Sequence, residues 1–264
     1  MSIKKFPGAV VSAAPVEPDG NYQDSAASGV WSLDQVAYWQ AQGRWPIPGN
    51  PSSPSVIGQA FGGGFYAGQI VQGGSTYYLI VSPLATGQAA LGKQWQTTNT
   101  VGPTATITLN NGPAASASMN SATYPAAQFC EGLSIGGYTD WYLPSRDELN
   151  VCYHNLKPTT RVNFVGTITK SPYTYPENDD VAGDGMGVNR NSNPTYGAFT
   201  TGDPAQTSVT LFQENNSEYL YPGFHWSSTE WDSGNAWGIH FGYAQFSTPK
   251  TGAYIVRAIR RVPV

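Results

Sequence analysis

Gly136-Gly137-Tyr138-Thr139-Asp140-Trp141-Tyr142-Leu143-Pro144-Ser145-Arg146-Asp147-Glu148-Leu149 is the stretch on which the fold turns. Ser145 followed three residues later by Glu148 is a capping box, so a helix begins at Ser145. From there Leu149, Cys152, Tyr153 and Leu156 recur at the spacing of one helix face. Upstream, Pro125 suits a first turn, and Ala126, Phe129, Cys130 and Leu133 repeat the same spacing. Two amphipathic helices lying against a sheet are therefore expected, the second anchored by Trp141, Leu143 and Leu149. Cys130 and Cys152 fall on the apolar sides of these helices and read as buried free thiols.

Outward from this centre the pattern becomes strand-like. Phe65 to Val71 and Tyr77 to Val81 flank Gly73-Gly74, a hairpin signal. Thr104 to Leu109 alternates like a strand before Asn110-Asn111-Gly112, and the Ala/Ser/Asn-rich run from Ala114 to Ala122 reads as a loop. From Lys157 to about Tyr221 periodicity disappears among Pro, Gly, Asn and Asp. A structureless run this long inside a domain reads as a functional insertion. The chain closes with strands from Asn235 to Phe241 and from Ala253 to Val262, with a turn around Gly242. Trp237, Ile239 and Phe241 share one face, and Ala236, Gly238 and His240 share the other. Trp226 and Trp237 are expected to fill the space between sheet and helices.

Residues 1–56 read differently. Pro15, Pro18, Pro46, Pro48, Pro51 and Pro54 interrupt regular structure around one apolar patch from Gly29 to Trp39. Ser32 caps a short helix from Leu33 to about Gln42, stopped by Gly43. A helix this short needs a packing partner, so Val30, Trp31, Leu33, Tyr38, Trp39 and Trp45 are expected to dock on something larger. We read residues 1–56 as an attachment and oligomerisation arm, and 57–264 as the main domain.

Charged residues make up 11% of the chain, against about a quarter in typical proteins. Gly 30, Pro 20, Trp 8 and Tyr 16 take their place, a composition for neutral aromatic and polar recognition surfaces. The net charge of -4 has no basic cluster beyond Lys4-Lys5 and Arg260-Arg261, so nucleic acid is not an expected partner. No apolar stretch approaches bilayer length, and none of the N-terminal residues forms a convincing secretory signal.

Several motifs look chemical. Gly132-Leu133-Ser134-Ile135-Gly136 matches G-x-S-x-G, but a nucleophile elbow needs a strand before the serine and a helix after it. His154, His225 and His240 show no metal-ligand spacing. Glu177, Asn178, Asp179, Asp180 and Asp184 form an acidic cluster in which Asn178-Asp179-Asp180-Val181-Ala182-Gly183 resembles half a calcium loop, with Ala182 at position five and no Glu at position twelve. No cofactor is expected, and calcium is the one ion worth weighing.

The opening stretch, Trp226-Ser227-Ser228-Thr229-Glu230, Ala236-Trp237 and the closing Val256-Arg257-Ala258-Ile259-Arg260 together resemble the family named for the C-terminal domain of a bacterial collagen-like protein. The resemblance covers residues 57–262, including Phe61 to Tyr66 and the Trp95 region. It implies an α+β, C-type-lectin-like fold: two helices on small antiparallel sheets, rich in loops. Proteins with this closing pattern include the variable receptor-binding, tropism-determining proteins of bacteriophages. Their varied positions map here onto Trp231, Asp232, Ser233, Asn235, Gly238, His240, Tyr243, Gln245, Ser247 and Lys250. The calcium-binding motifs of sugar-binding C-type lectins are replaced here by Pro176-Glu177-Asn178 and Trp231-Asp232-Ser233. The oxidising cysteines of formylglycine-generating relatives have no counterpart in the window. Ser28 to Leu33 and Gly43 to Pro46 are similar to segments of tailed-phage structural proteins.

The resemblance therefore implies a non-enzymatic virion surface protein (a fibre, tail or adhesin component) assembled in the bacterial cytoplasm. Its expected partners are a host-surface glycan or protein and, through the arm, other virion proteins. A homotrimer without membrane insertion is expected. The alternative is a structural capsid-decoration or tail-assembly protein with no receptor of its own.

Overall fold

Ser32 caps a helix as its position predicts: the Gln35 N–H donates to its hydroxyl at 3.2 Å, and the Gln35 amide oxygen accepts from the Ser32 N–H at 2.9 Å. The computed structural model describes residues 32–41, 53–167, 171–177 and 185–264. The chain divides into units 1–55 and 56–264, each considered by itself. In the first, α1 (Leu33–Ala41) exposes Leu33 and Tyr38, and Trp39 sets its ring edge-on to Tyr38 at 4.8 Å. Val30, Trp31, Trp45 and the Gly43 stop lie outside the described residues.

In the second unit β1 (Ala60–Phe61) leads into β2 (Gly64–Gln72), which pairs with β3 (Ser75–Val81). Gly73 and Gly74 make the turn at φ 58° and 80°, a conformation side-chain-bearing residues avoid. Side chains along β3 alternate as a pleat requires: Leu79 and Val81 enter one apolar cluster, Tyr78 and Ile80 another. The short helix α2 (Leu84–Gly87) and strand β4 (Lys93–Gln94) follow.

Two expectations fail between residues 104 and 122. Thr104–Thr106 is a single 3-10 turn instead of a strand, and Gly112–Ser118 is a helix, α3, instead of a loop. Pro113 in the first turn and Ala114, Ala115 and Ala117 behind it are good helix material once Ala115 and Ser116 are buried. Alternation over six residues was outweighed by the turn at Pro103, whose carbonyl accepts from the Thr106 N–H at 2.9 Å.

The two expected helices are present as α4 (Pro125–Glu131) and α5 (Arg146–Leu156). The first ends before Leu133. The second buries Leu149, Cys152, Tyr153 and Leu156, but also Arg146, Asp147, Glu148 and Asn150, so it lacks the solvent face that amphipathicity implies. It packs on β2 and on a second sheet of β6 (Phe224–Glu230), β7 (Asn235–His240) and β8 (Ala244–Pro249). The strand Ala244–Pro249 was not anticipated. Strand β5 (Ser192–Asn193) pairs with β2, β9 (Ala253–Tyr254) with β4, and β10 (Ile259–Pro263) with β3. The result is a mixed α+β architecture of small antiparallel sheets.

The stretch from 157 to 221 is mostly irregular where described, apart from β5 and a 3-10 turn at Thr210–Phe212, yet it is built into the core: Tyr175, Phe199, Phe212 and Leu220 are buried. Trp226 joins Trp95 and Trp141 in one cluster, while Trp237 packs separately with Leu109 and Tyr175. The indole N–H groups of Trp95, Trp141, Trp226 and Trp237 each have an acceptor, including Ser227 O for Trp95 at 2.8 Å and Lys93 O for Trp226 at 2.8 Å. Cys130 and Cys152 are free and buried, and burial raises both thiols above their ordinary range.

Two histidines give the domain a pH dependence. His225 is fully buried beside Phe241, and His154 stacks on Tyr196 at 4.0 Å. Burial holds their imidazoles down at about 3 and about 4, against an ordinary 6.5. Both stay neutral in the fold, whereas the unfolded chain protonates them near 6.5. Below that pH the unfolded state binds more protons, so stability falls as pH drops from 6.5 towards 4. The urea midpoint is expected to decline across this window, and less steeply in His154→Phe. A midpoint unchanged from pH 7 to 4.5 would contradict neutral burial.

Candidate functional site

The segment 161–165 reverses the usual arrangement of polar and apolar side chains. Asn163 is buried, while Val162, Phe164 and Val165 are 70%, 52% and 46% exposed. The asparagine explains the inversion. Its Oδ1 accepts from Tyr153 Oη and Lys157 Nζ, each at 2.7 Å, and its Nδ2 donates to Thr200 O at 2.9 Å and Pro204 O at 3.0 Å. Lys157 Nζ also donates to Arg161 O at 2.6 Å. Burying an amide without partners is costly, so this saturated cradle draws Asn163 inward. Its flanking residues must then face out.

The same segment is sewn to the second sheet by Phe164 N–H donating to Tyr243 O at 2.8 Å. Tyr243, 39% exposed in the turn between β7 and β8, sits 5.8 Å from Phe246 and 4.2 Å from His240, ring to ring. Phe246 in turn lies 6.1 Å from Phe164. Arg161, Val162, Asn163, Phe164, Val165 and Tyr243 line an open, largely apolar groove of about 530 Å³. The Arg161 guanidinium stands at its rim, 3.9 Å from Glu214. His240 Nδ1 accepts from the Gly242 N–H at 3.1 Å, which places the neutral ring's proton on Nε2. Burial, and secondarily the Arg161 charge, lower its pKa.

The ten positions taken from the 231–250 window separate into three groups. Tyr243 lines the groove, and His240 packs against its ring at 4.2 Å. Trp231, Asp232, Ser233 and Asn235 lie at the opposite end of the hairpin, with Ser247 half-buried along β8. There Asp232 Oδ1 accepts from the N–H groups of Gly234 and Asn235, both at 2.7 Å, so this carboxylate shapes its own loop.

Gly238, Gln245 and Lys250 are buried and offer no surface, contrary to the receptor-binding positions that the resemblance implies. A Cβ on Gly238 would lie 2.2 Å from His225 O. Gln245 is 2% exposed, with its amide oxygen 3.5 Å from Asn150 Nδ2. The sheet is covered on both faces, so strand alternation does not separate inside from outside there.

Lys250 is fully buried and forms an ion pair with Glu230. Its ammonium also donates to Thr100 O at 2.8 Å and Ser233 O at 3.0 Å, and lies 4.9 Å from the centre of the Trp95 ring. The same carboxylate accepts from the Gly102 N–H at 2.8 Å. This pair ties the 100–102 and 231–235 loops to the sheet.

Arg161, Val162, Phe164, Val165 and Phe246 escaped the sequence reading. The only signal was an apolar triplet around one asparagine in an aperiodic region, and nothing local says which member turns inward. Among the described residues no group of three His, Cys, Asp or Glu could hold a metal, and no helix is long and apolar enough to cross a membrane. Asn178, Asp179, Asp180 and Asp184 lie outside the described residues. Ser134 is exposed on the turn before the Ile135–Tyr138 bridge, with no strand leading into it.

What fold and surface define is a mixed α+β domain of small antiparallel sheets carrying an open, largely apolar groove beside a hydrogen-bonded segment. Residues 89–260 match the Lcl C-terminal domain family, and the chain belongs to that family. The comparison with curated proteins finds no match.

Proposed function

We propose that this chain is a bacteriophage virion surface protein that binds a host-surface receptor without catalysing a reaction on it. The observation that carries the reading is the groove, whose aromatic side chains are exposed on a backbone pinned by saturated hydrogen bonds. Preorganised aromatic surface is what recognition sites use, because little side-chain or loop entropy is lost on binding. Membership of the Lcl C-terminal domain family supports a receptor-binding role, and β10 returning to pair with β3 supports a C-type-lectin-like fold. In this reading the receptor face is the end of the β7–β8 hairpin at His240 and Tyr243, extended by residues 161–165. Residues 1–56 attach the domain to the particle and hold a homotrimer together. No cofactor takes part.

Binding of the purified full chain to cells of the infected bacterium tests the reading. Wild type is expected to bind saturably. Tyr243→Ala and Phe164→Ala, both exposed, should each weaken binding roughly tenfold or more while leaving the thermal midpoint in place. Wild type that binds no cells would favour a structural role in capsid decoration or tail assembly.

A further inference from the structure

The same groove also indicates what kind of molecule fills it. The inference rests on the recognition reading and goes beyond it in naming the ligand. We infer that the groove takes a protein segment that presents an apolar side chain next to a carboxylate. Three observations support this choice over a glycan.

First, the groove is lined mainly by aliphatic and aromatic carbon from Val162, Phe164, Val165 and Tyr243. Secondly, its one amide is already used. Asn163 spends both side-chain atoms on Tyr153, Lys157, Thr200 and Pro204, so it has little left for a sugar hydroxyl. A sugar ring needs several convergent donors and acceptors, because each of its hydroxyls loses water on binding. Thirdly, the charge at the rim is Arg161, whose side chain is 59% exposed. Its contact with Glu214, at 3.9 Å, is long and solvent-facing, so an incoming carboxylate can displace it. An apolar floor beside one accessible guanidinium complements an apolar side chain with an acidic neighbour.

Two unbiased probes decide between the classes: a displayed random-peptide library and an array of bacterial glycans, each presented to the full chain. The expected peptides carry Leu, Ile, Val or Phe within two residues of Asp or Glu. Their binding should be lost in Phe164→Ala and weakened about tenfold in Arg161→Glu. It should also weaken as salt rises for wild type, and lose that salt dependence in Arg161→Met. All three substitutions are at exposed positions, and unchanged thermal midpoints will show that the variants are folded. Glycan binding that depends on Phe164, or enriched peptides without an acidic residue, would overturn the inference. Cell binding through Tyr243 with no groove-dependent peptide would overturn it too, and leave the recognition reading standing. Groove-dependent acidic peptides without any cell binding would have the reverse effect, keeping the ligand class and removing the recognition role.

Discussion

Glu230→Ala is expected to destabilise the domain by about 3–5 kcal/mol, because it strands the Lys250 ammonium in a site with no access to water. Thr100 O and Ser233 O would remain as acceptors, but neither carries the compensating charge. Burial already pushes the Lys250 pKa down, with Glu230 the main influence opposing that fall. For a domain of this size each kcal/mol moves the melting temperature by roughly 2–4 °C, so a loss of roughly 6–20 °C is expected. Replacing both partners, as Glu230→Leu with Lys250→Met, removes the stranded charge and should recover most of that loss. Melting curves of the single and double variants measure the difference. A single variant within 2 °C of wild type, taken here as roughly half a kcal/mol, would mean that water reaches Lys250.

The second large effect is expected at Glu148. As the third helical residue of a capping box, it would contribute only about 1 kcal/mol. In the fold it does more. One carboxylate oxygen accepts from the Ser145 N–H at 2.7 Å and Ser145 Oγ at 2.8 Å; the other accepts from Tyr142 Oη at 2.7 Å and Arg261 Nε at 2.6 Å. Arg261 also reaches Asn110 O, so this single side chain joins the start of α5 to the closing strand β10. Glu148→Ala should cost about 3–5 kcal/mol, since it leaves Arg261 without its counter-charge in a largely buried site. Glu148→Gln keeps the shape and part of the hydrogen bonding but removes the charge, so a smaller loss is expected. Urea denaturation of the two variants separates the cap from the ion pair. Equal, small losses of about 1 kcal/mol would show that only the cap matters.

Glu148 also illustrates how much of this protein could be read before folding. Its place three residues after Ser145 announces a helix start, because a capping box is satisfied within four consecutive residues. The same locality makes the Gly73-Gly74 hairpin and the Ser32 cap of α1 legible. The apolar spacing of Cys152, Tyr153 and Leu156 is legible too, because burial of one helix face repeats with the helix period. The family follows from ordered motifs along the chain, which need no coordinates.

The misreadings have a common origin. The strand expected at Thr104 and the loop expected at Ala114 rested on local preferences weak enough for tertiary contacts to override. The polar face of α5 looked solvent-exposed because charged residues usually are. Here Arg261, Asn189 and Asn191 supply partners from far along the chain, and burial becomes affordable: Asn189 Nδ2 donates to Asp147 O at 2.9 Å, and Asn191 Nδ2 to Asp147 Oδ2 at 2.8 Å. The same holds at the candidate site. Tyr243 and His240 could be named from the window, but not that Lys250 and Gln245 nearby would be buried.

Sequence by itself determined the starts of α1, α4 and α5, the first hairpin, the two buried thiols and the family, all of which depend on neighbours within a turn or on motif order. Tertiary structure alone decided which side chains face outward. That choice depends on whether a buried polar group finds its partners, and the partners of Asn163, Lys250 and Glu148 include residues that only the folded chain brings within reach.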